Sequence, residues 1–152
     1  GALAAGRIYG VFELFGSPEG FDFHATSGAQ TFELGDTAPL GSTLRVSVPH
    51  PFPSSFRGAD VVMRISVRHV PARGPGASGP PSSEVLTRTL TADELATDPG
   101  LRVSLDSAMR GPGAYRVEVY VVPRHLLHLL GENPAPYARE YPYLYTAPIY
   151  VR

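Results

Sequence analysis

Apolar and polar residues alternate with a period of two along most of this chain. The alternation is cleanest in residues 113–122, where Tyr115, Val117, Val119 and Val121 share one face and Arg116, Glu118 and Tyr120 share the other. That spacing predicts a strand with one face in a core and the other nearer water. The same pattern recurs in residues 21–26 (Phe21, Phe23 and Ala25 against Asp22, His24 and Thr26), 43–48 (Leu44, Val46, Val48) and 60–70 (Val61, Met63, Ile65, Val67, His69). Residues 31–34, 84–90 and 101–106 are shorter strand candidates, and residues 7–15 form one with mixed faces. The closing run 143–152 contains Pro148, which cannot donate to a central ladder and so places the run at an edge or a bulge.

Turn chemistry separates these runs. Residues 16–20, 27–30, 35–41 and 109–113 carry the glycines, prolines and small polar residues of tight turns. Residues 71–83 are so rich in glycine and proline that they predict a mobile, exposed loop. Helical signals are few. Thr91 with Glu94 three residues later is a capping box, stopped by residues 98–100, and residues 124–130 predict a short helix closed by Gly131. Eight to nine strands with one or two short helical turns predict an all-β, immunoglobulin-like antiparallel two-sheet sandwich. Within it, strand, Asp106, glycine turn, Tyr115, strand is the order expected at a tyrosine corner. The Tyr115 hydroxyl should then bond backbone near residues 106–109, and Val117 should stand where antibody domains place a cysteine.

The length, 152 residues, suits one domain, with residues 1–6 as a linker remnant and residues 7–152 as a single β-sandwich. The small-residue start reads as a cut point inside a longer protein. Fourteen acidic and 13 basic residues give a net charge of −1 with no basic block, which argues against nucleic-acid binding. Cysteine is absent, so disulfides, thiolate metal sites and cysteine nucleophiles are excluded. No apolar run is long enough for a transmembrane segment.

Candidate chemistry is sparse. His125 and His128 could share a helix face, yet catalytic zinc needs three protein ligands, and only Glu132 and Glu140 stand near them. His24, His50 and His69 are scattered. No nucleophile elbow, phosphate loop or dinucleotide fingerprint is present, so no catalytic, cofactor-binding or metal residues are assigned. Tyrosine is more informative. Tyr137, Tyr141, Tyr143, Tyr145 and Tyr150 crowd into the last sixteen residues, and exposed tyrosines make flat amphipathic contact surfaces. Tyr137, Tyr141, Tyr143 and Tyr145 are therefore candidates for a docking or ligand surface, with core packing as the alternative.

Two segments carry a family resemblance. Arg7-Ile-Tyr-Gly-Val-Phe-Glu followed by Gly20-Phe-Asp-Phe, and Gly113-Ala-Tyr-Arg-Val-Glu-Val with the closing Ala147-Pro-Ile-Tyr-Val-Arg152, resemble the C-terminal β-sandwich that follows some polymerase-and-histidinol-phosphatase (PHP) type metal-dependent phosphoesterase domains. In those domains the last strand reads aromatic-x-Ser-Asn-Pro-Ile-Tyr; here it is Tyr145-Thr-Ala-Pro-Ile-Tyr150, so any polar contacts of the Ser-Asn pair are in question at Thr146 and Ala147. The resemblance implies a non-catalytic accessory domain, not itself an enzyme. Its partner would be an upstream catalytic domain of the same polypeptide, and divalent metals would be held only there. The alternative is a carbohydrate- or envelope-binding module that uses the tyrosine cluster.

Overall fold

The computed structural model describes residues 1, 3–49, 61–72, 82–91, 93–94, 102–129 and 131–152, and for residues 61 and 102–106 the backbone only. Among the described residues, eleven strands form two sheets, a mostly antiparallel β-sandwich. The first sheet is built on β9 (Gly113–Val121), which pairs along one edge with β6 (Val61–Pro71) and along the other with β10 (Tyr141–Thr146) and β11 (Ile149–Val151). Outside these lie β7 (Ser83–Thr91) against β6, β1 (Tyr9–Val11) against β10 and β4 (Thr37–Ala38) against β11. The second sheet runs β3 (Gln30–Phe32), β2 (Asp22–Ser27), β5 (Thr43–Pro49), β8 (Arg102–Ala108).

The alternating faces go where the sequence sends them. Leu44, Val46 and Val48 of β5 and Phe23 and Ala25 of β2 are buried in the same core as Ile65 and Val67 of β6 and Val117, Val119 and Val121 of β9. Each of these side chains other than Ala25 contributes roughly 1.5–3 kcal/mol when withdrawn from water.

The structure departs from expectation at five places. The first strand is cut to three residues because a 3-10 turn, Glu13–Phe15, follows it. Loop residues Thr37 and Ala38 form a strand that runs parallel to β11, which two segments so far apart in the chain can do without a hairpin. Pro148 splits the closing run into β10 and β11. The short helix expected at residues 124–130 takes the tighter 3-10 form over 124–129. The capping box forms, with the Thr91 N–H donating to Glu94 Oε2 at 2.8 Å and the Glu94 N–H donating to Thr91 Oγ1 at 3.2 Å. The stop at residues 98–100 and most of the loop expected at 71–83 lie outside the described residues.

The fifth departure is at the corner. Tyr115 is buried and its hydroxyl bonds backbone upstream, but at Gly111: it donates to the Gly111 carbonyl at 3.0 Å and accepts from the Gly111 N–H at 3.1 Å. The expected span of residues 106–109 lies within strand β8 and the residue that follows it. Asp106 does not close its strand but pairs with Arg45 inside the β5–β8 ladder, which continues to Ala108. Met109 is fully buried, its N–H donating to Ser42 and its carbonyl accepting from Gly41. The hydroxyl meets the chain two residues farther on, at Gly111. Val117, two residues after Tyr115, is fully buried in the core. Tyr115→Phe is expected to lower stability by about 1 kcal/mol, the worth of one net hydrogen bond, read from the urea unfolding midpoint. An unchanged midpoint would show that the corner bond contributes nothing.

Candidate functional site

The outer face of the first sheet concentrates polar and aromatic side chains. On β6, β7 and β9, Arg64, Arg68, Arg116, Glu84 and Glu118 interleave across neighbouring strands, with Glu140 at the margin. Arg64 grips Glu140 with three hydrogen bonds, from Nε to Oε1 at 2.9 Å and to Oε2 at 3.2 Å and from Nη2 to Oε2 at 2.8 Å, and also meets Glu84 at 3.3 Å. Arg68 lies 3.6 Å from Glu84 and 3.8 Å from Glu118, and Arg116 is 2.6 Å from Glu118. Ser66 donates to Glu84 at 2.8 Å and Tyr120 donates to Glu118 at 2.9 Å. The Arg64 guanidinium also sits 4.5 Å from the Tyr120 ring centre, a cation–π geometry.

These contacts reinforce the charge state of Arg64, Glu140 and Tyr120. Its hydrogen bond to Glu140 pushes the Arg64 pKa up, and the same bond holds the Glu140 carboxyl below the usual range. Burial, together with Glu118, raises the Tyr120 phenol, so it stays a donor. A fixed array of donors and acceptors results, already oriented by mutual contacts.

Beside this array stands Tyr145 on β10. It opposes Glu118 on one side and Gly10 of β1 on the other. Its ring lies across Gly10, where a Cβ would fall 2.6 Å from the Tyr145 hydroxyl and 2.8 Å from Cε1. Glycine is what allows the ring to lie down on the sheet while 53% of the residue stays exposed. A shallow groove of about 250 Å³ runs on one side, lined by Arg116, Glu118, Tyr120 and Pro142. A second, of about 370 Å³, runs on the other, lined by Ile8, Tyr9 and Ala147. Tyr145 borders both.

The tyrosine candidates are thus divided. Tyr143 is fully buried, and burial with Tyr9 nearby pushes its phenol up to about 12. Tyr141 is half-buried, its ring 5.9 Å from Phe15 and its hydroxyl accepting from Arg139 Nε at 3.2 Å. Tyr137 is exposed on the 3-10 turn Ala135–Tyr137, and Tyr145 alone of the four lies between the grooves. Arg116, Tyr120, Gly10 and Ile8 were missed, since only strand register brings them beside Tyr145.

The histidines go separate ways. His24 pairs with Asp22 at 2.8 Å, and His69 stacks on Tyr115. His125 has its pKa lowered, chiefly by burial. Among the described residues no group of three or more His, Cys, Asp or Glu is placed to hold a metal ion. Nor is any helix among them long and apolar enough to cross a membrane.

No model of a known protein family matches the chain, and no curated protein matches it in sequence. Solved structures do align with it. The soluble domain of PmoD from Methylocystis sp. ATCC 49242 (Rockwell) is 12% identical with a TM-score of 0.45, over 87% of this chain and 90% of that one. The protein CvAA9A is 14% identical with a TM-score of 0.42, over 77% and 56%. A cellulose-active polysaccharide monooxygenase from M. thermophila is 14% identical with a TM-score of 0.41, over 83% and 57%. The phosphoesterase resemblance is overturned. These neighbours are not PHP-associated domains, and the segments that suggested one, Gly113-Ala-Tyr-Arg-Val-Glu-Val above all, are alternating strand sequence that many sandwiches share. The spans also show that the chain extends over little more than half of the two longer neighbours.

Proposed function

We propose that this chain is a non-catalytic binding module whose outer sheet face recognises carbohydrate, with Tyr145 as the platform. The observation that carries the reading is the Tyr145 ring lying across Gly10 between two shallow grooves. A sugar ring has an apolar C–H face and a rim of hydroxyls. The first needs a flat apolar surface, which Tyr145 offers, and the second needs fixed donors and acceptors, which Arg116, Glu118 and Tyr120 offer. Because the charged residues are already paired and oriented, little order has to be created on binding. Open grooves also suit a chain that runs past the site better than a small molecule enclosed within it.

The test is affinity electrophoresis against a panel of soluble polysaccharides, with hits titrated by calorimetry. Tyr145→Ala is expected to weaken binding about tenfold or more, roughly 1.4 kcal/mol. Tyr137→Ala, on a different element, should leave affinity unchanged. Absence of binding to every polysaccharide, or affinity indifferent to Tyr145, would remove the reading.

A further inference from the structure

We propose that an open notch beside the tyrosine corner binds a small organic carboxylate. The notch, of about 460 Å³, lies where β7, an edge strand of the first sheet, comes near β8, an edge strand of the second. It shares no lining residue with the grooves around Tyr145, so the two proposals stand or fall separately. Its size is within the range of small-ligand sites.

Two aromatic rings make a fixed wall. His69 stacks on Tyr115 with centroids 4.4 Å apart and planes 17° from parallel. His69 Nε2 lies 3.0 Å from the Pro112 carbonyl, an acceptor only, so Nε2 carries the proton and donates to it. The Tyr115 hydroxyl is occupied in both directions by Gly111. Neither ring can turn without losing these bonds. Space is kept clear at Gly111, where a Cβ would press on His69 Cε1 at 3.3 Å.

The remaining lining defines the ligand. Val85 and Ala108 are apolar, Ser107 offers a hydroxyl and Arg110 a guanidinium. Arg7, Arg64, Arg68, Arg88 and Arg116 each face a carboxylate within ion-pair distance. Arg110, exposed on the turn after β8, has no such partner among the described residues. A planar carboxylate fits the guanidinium fork with paired hydrogen bonds. The apolar side wall and stacked rings favour an anion with an organic body over a bare inorganic one, whose desolvation they would not offset.

The experiment is an amide-shift titration of the whole chain by two-dimensional NMR with benzoate, glucuronate, inorganic phosphate and the neutral analogue benzamide. Benzoate or glucuronate is expected to give saturable shifts at His69 and residues 107–111, with phosphate and benzamide weaker. Arg110→Gln should weaken the carboxylate at least about tenfold. Ala108→Phe, which fills the notch without touching its charge, should abolish binding; both sites are exposed, and the spectra report whether the fold is kept. No saturable shift with either carboxylate, equal binding of phosphate or benzamide, or affinity unchanged in both variants would overturn the assignment.

Discussion

Gly113→Ala is expected to be strongly damaging, lowering stability by about 3–5 kcal/mol. Gly113 has φ +140°, a conformation that L side chains rarely adopt. It is also crowded from both sides, paired with Pro71 of β6 and with Val151 of β11. A Cβ there would overlap the Val70 carbonyl oxygen and lie 2.8 Å from His69 Nε2 and 2.9 Å from the Ala72 nitrogen. The obstructing atoms are mostly backbone, so relief means parting β6 from β9, the longest ladder in the first sheet. A domain of this size has roughly 5–15 kcal/mol in total, so the loss would be visible at once in a urea melt. Gly28→Ala is the control. Gly28 also has positive φ, +57°, but nothing lies within 4 Å of its Cβ position, so its cost should stay near the roughly 1–2 kcal/mol of a left-handed alanine. Equal midpoints for the two variants would refute the steric argument.

Gly113 opens the strand whose alternation was most legible in the sequence, and the fold's two faces follow from that alternation. Val117, Val119 and Val121 face the core because a period of two admits no other arrangement once one face is buried. The candidate site was less legible, for a reason that a single residue explains. Tyr143 and Tyr145 stand two apart, which in a regular strand means one shared face. The β9–β10 ladder passes from Tyr120↔Pro142 to Val119↔Leu144, so Tyr143 is an extra residue in a bulge. That insertion flips the parity: Tyr143 goes into the core and Tyr145 onto the surface. Nothing local in Tyr-Pro-Tyr-Leu-Tyr marks the bulge. The juxtaposition of Gly10 with Tyr145 is likewise a matter of register between segments 135 residues apart in number, which no pattern within either one encodes. The corner lay between these extremes. Its tyrosine was visible, but its partner depended on Met109 being tied to residues 41 and 42 of a distant loop.

Thr146→Val should be the second large effect, about 1–3 kcal/mol, although the two side chains have nearly the same shape. Thr146 is buried at 5% exposure, and its Oγ1 accepts from the Val117 N–H at 3.0 Å. That N–H needs a side-chain partner because the ladder is interrupted there. β10 pairs with β9 as far as Tyr145↔Glu118, β11 resumes at Ile149↔Tyr115, and Pro148 intervenes. The threonine hydroxyl thus provides a buried polar contact at this turn. Valine would keep the volume and remove the acceptor, leaving a buried N–H without a partner, which costs far more than the net worth of a made bond. Thr146→Ser, which keeps the hydroxyl and loses one methyl, should be the milder change. Hydrogen exchange separates the cause from general loosening: in Thr146→Val the Val117 amide should lose more protection than Val119 or Val121 on the same strand. If Thr146→Val melts with the parent and Val117 stays as protected as its neighbours, the hydroxyl is not what closes the gap between β10 and β11. Since Tyr145 immediately precedes this bond, the same variant should also show whether the platform depends on it. Weaker polysaccharide binding at a temperature where the fold is intact would mean that Thr146 holds Tyr145 in place across Gly10.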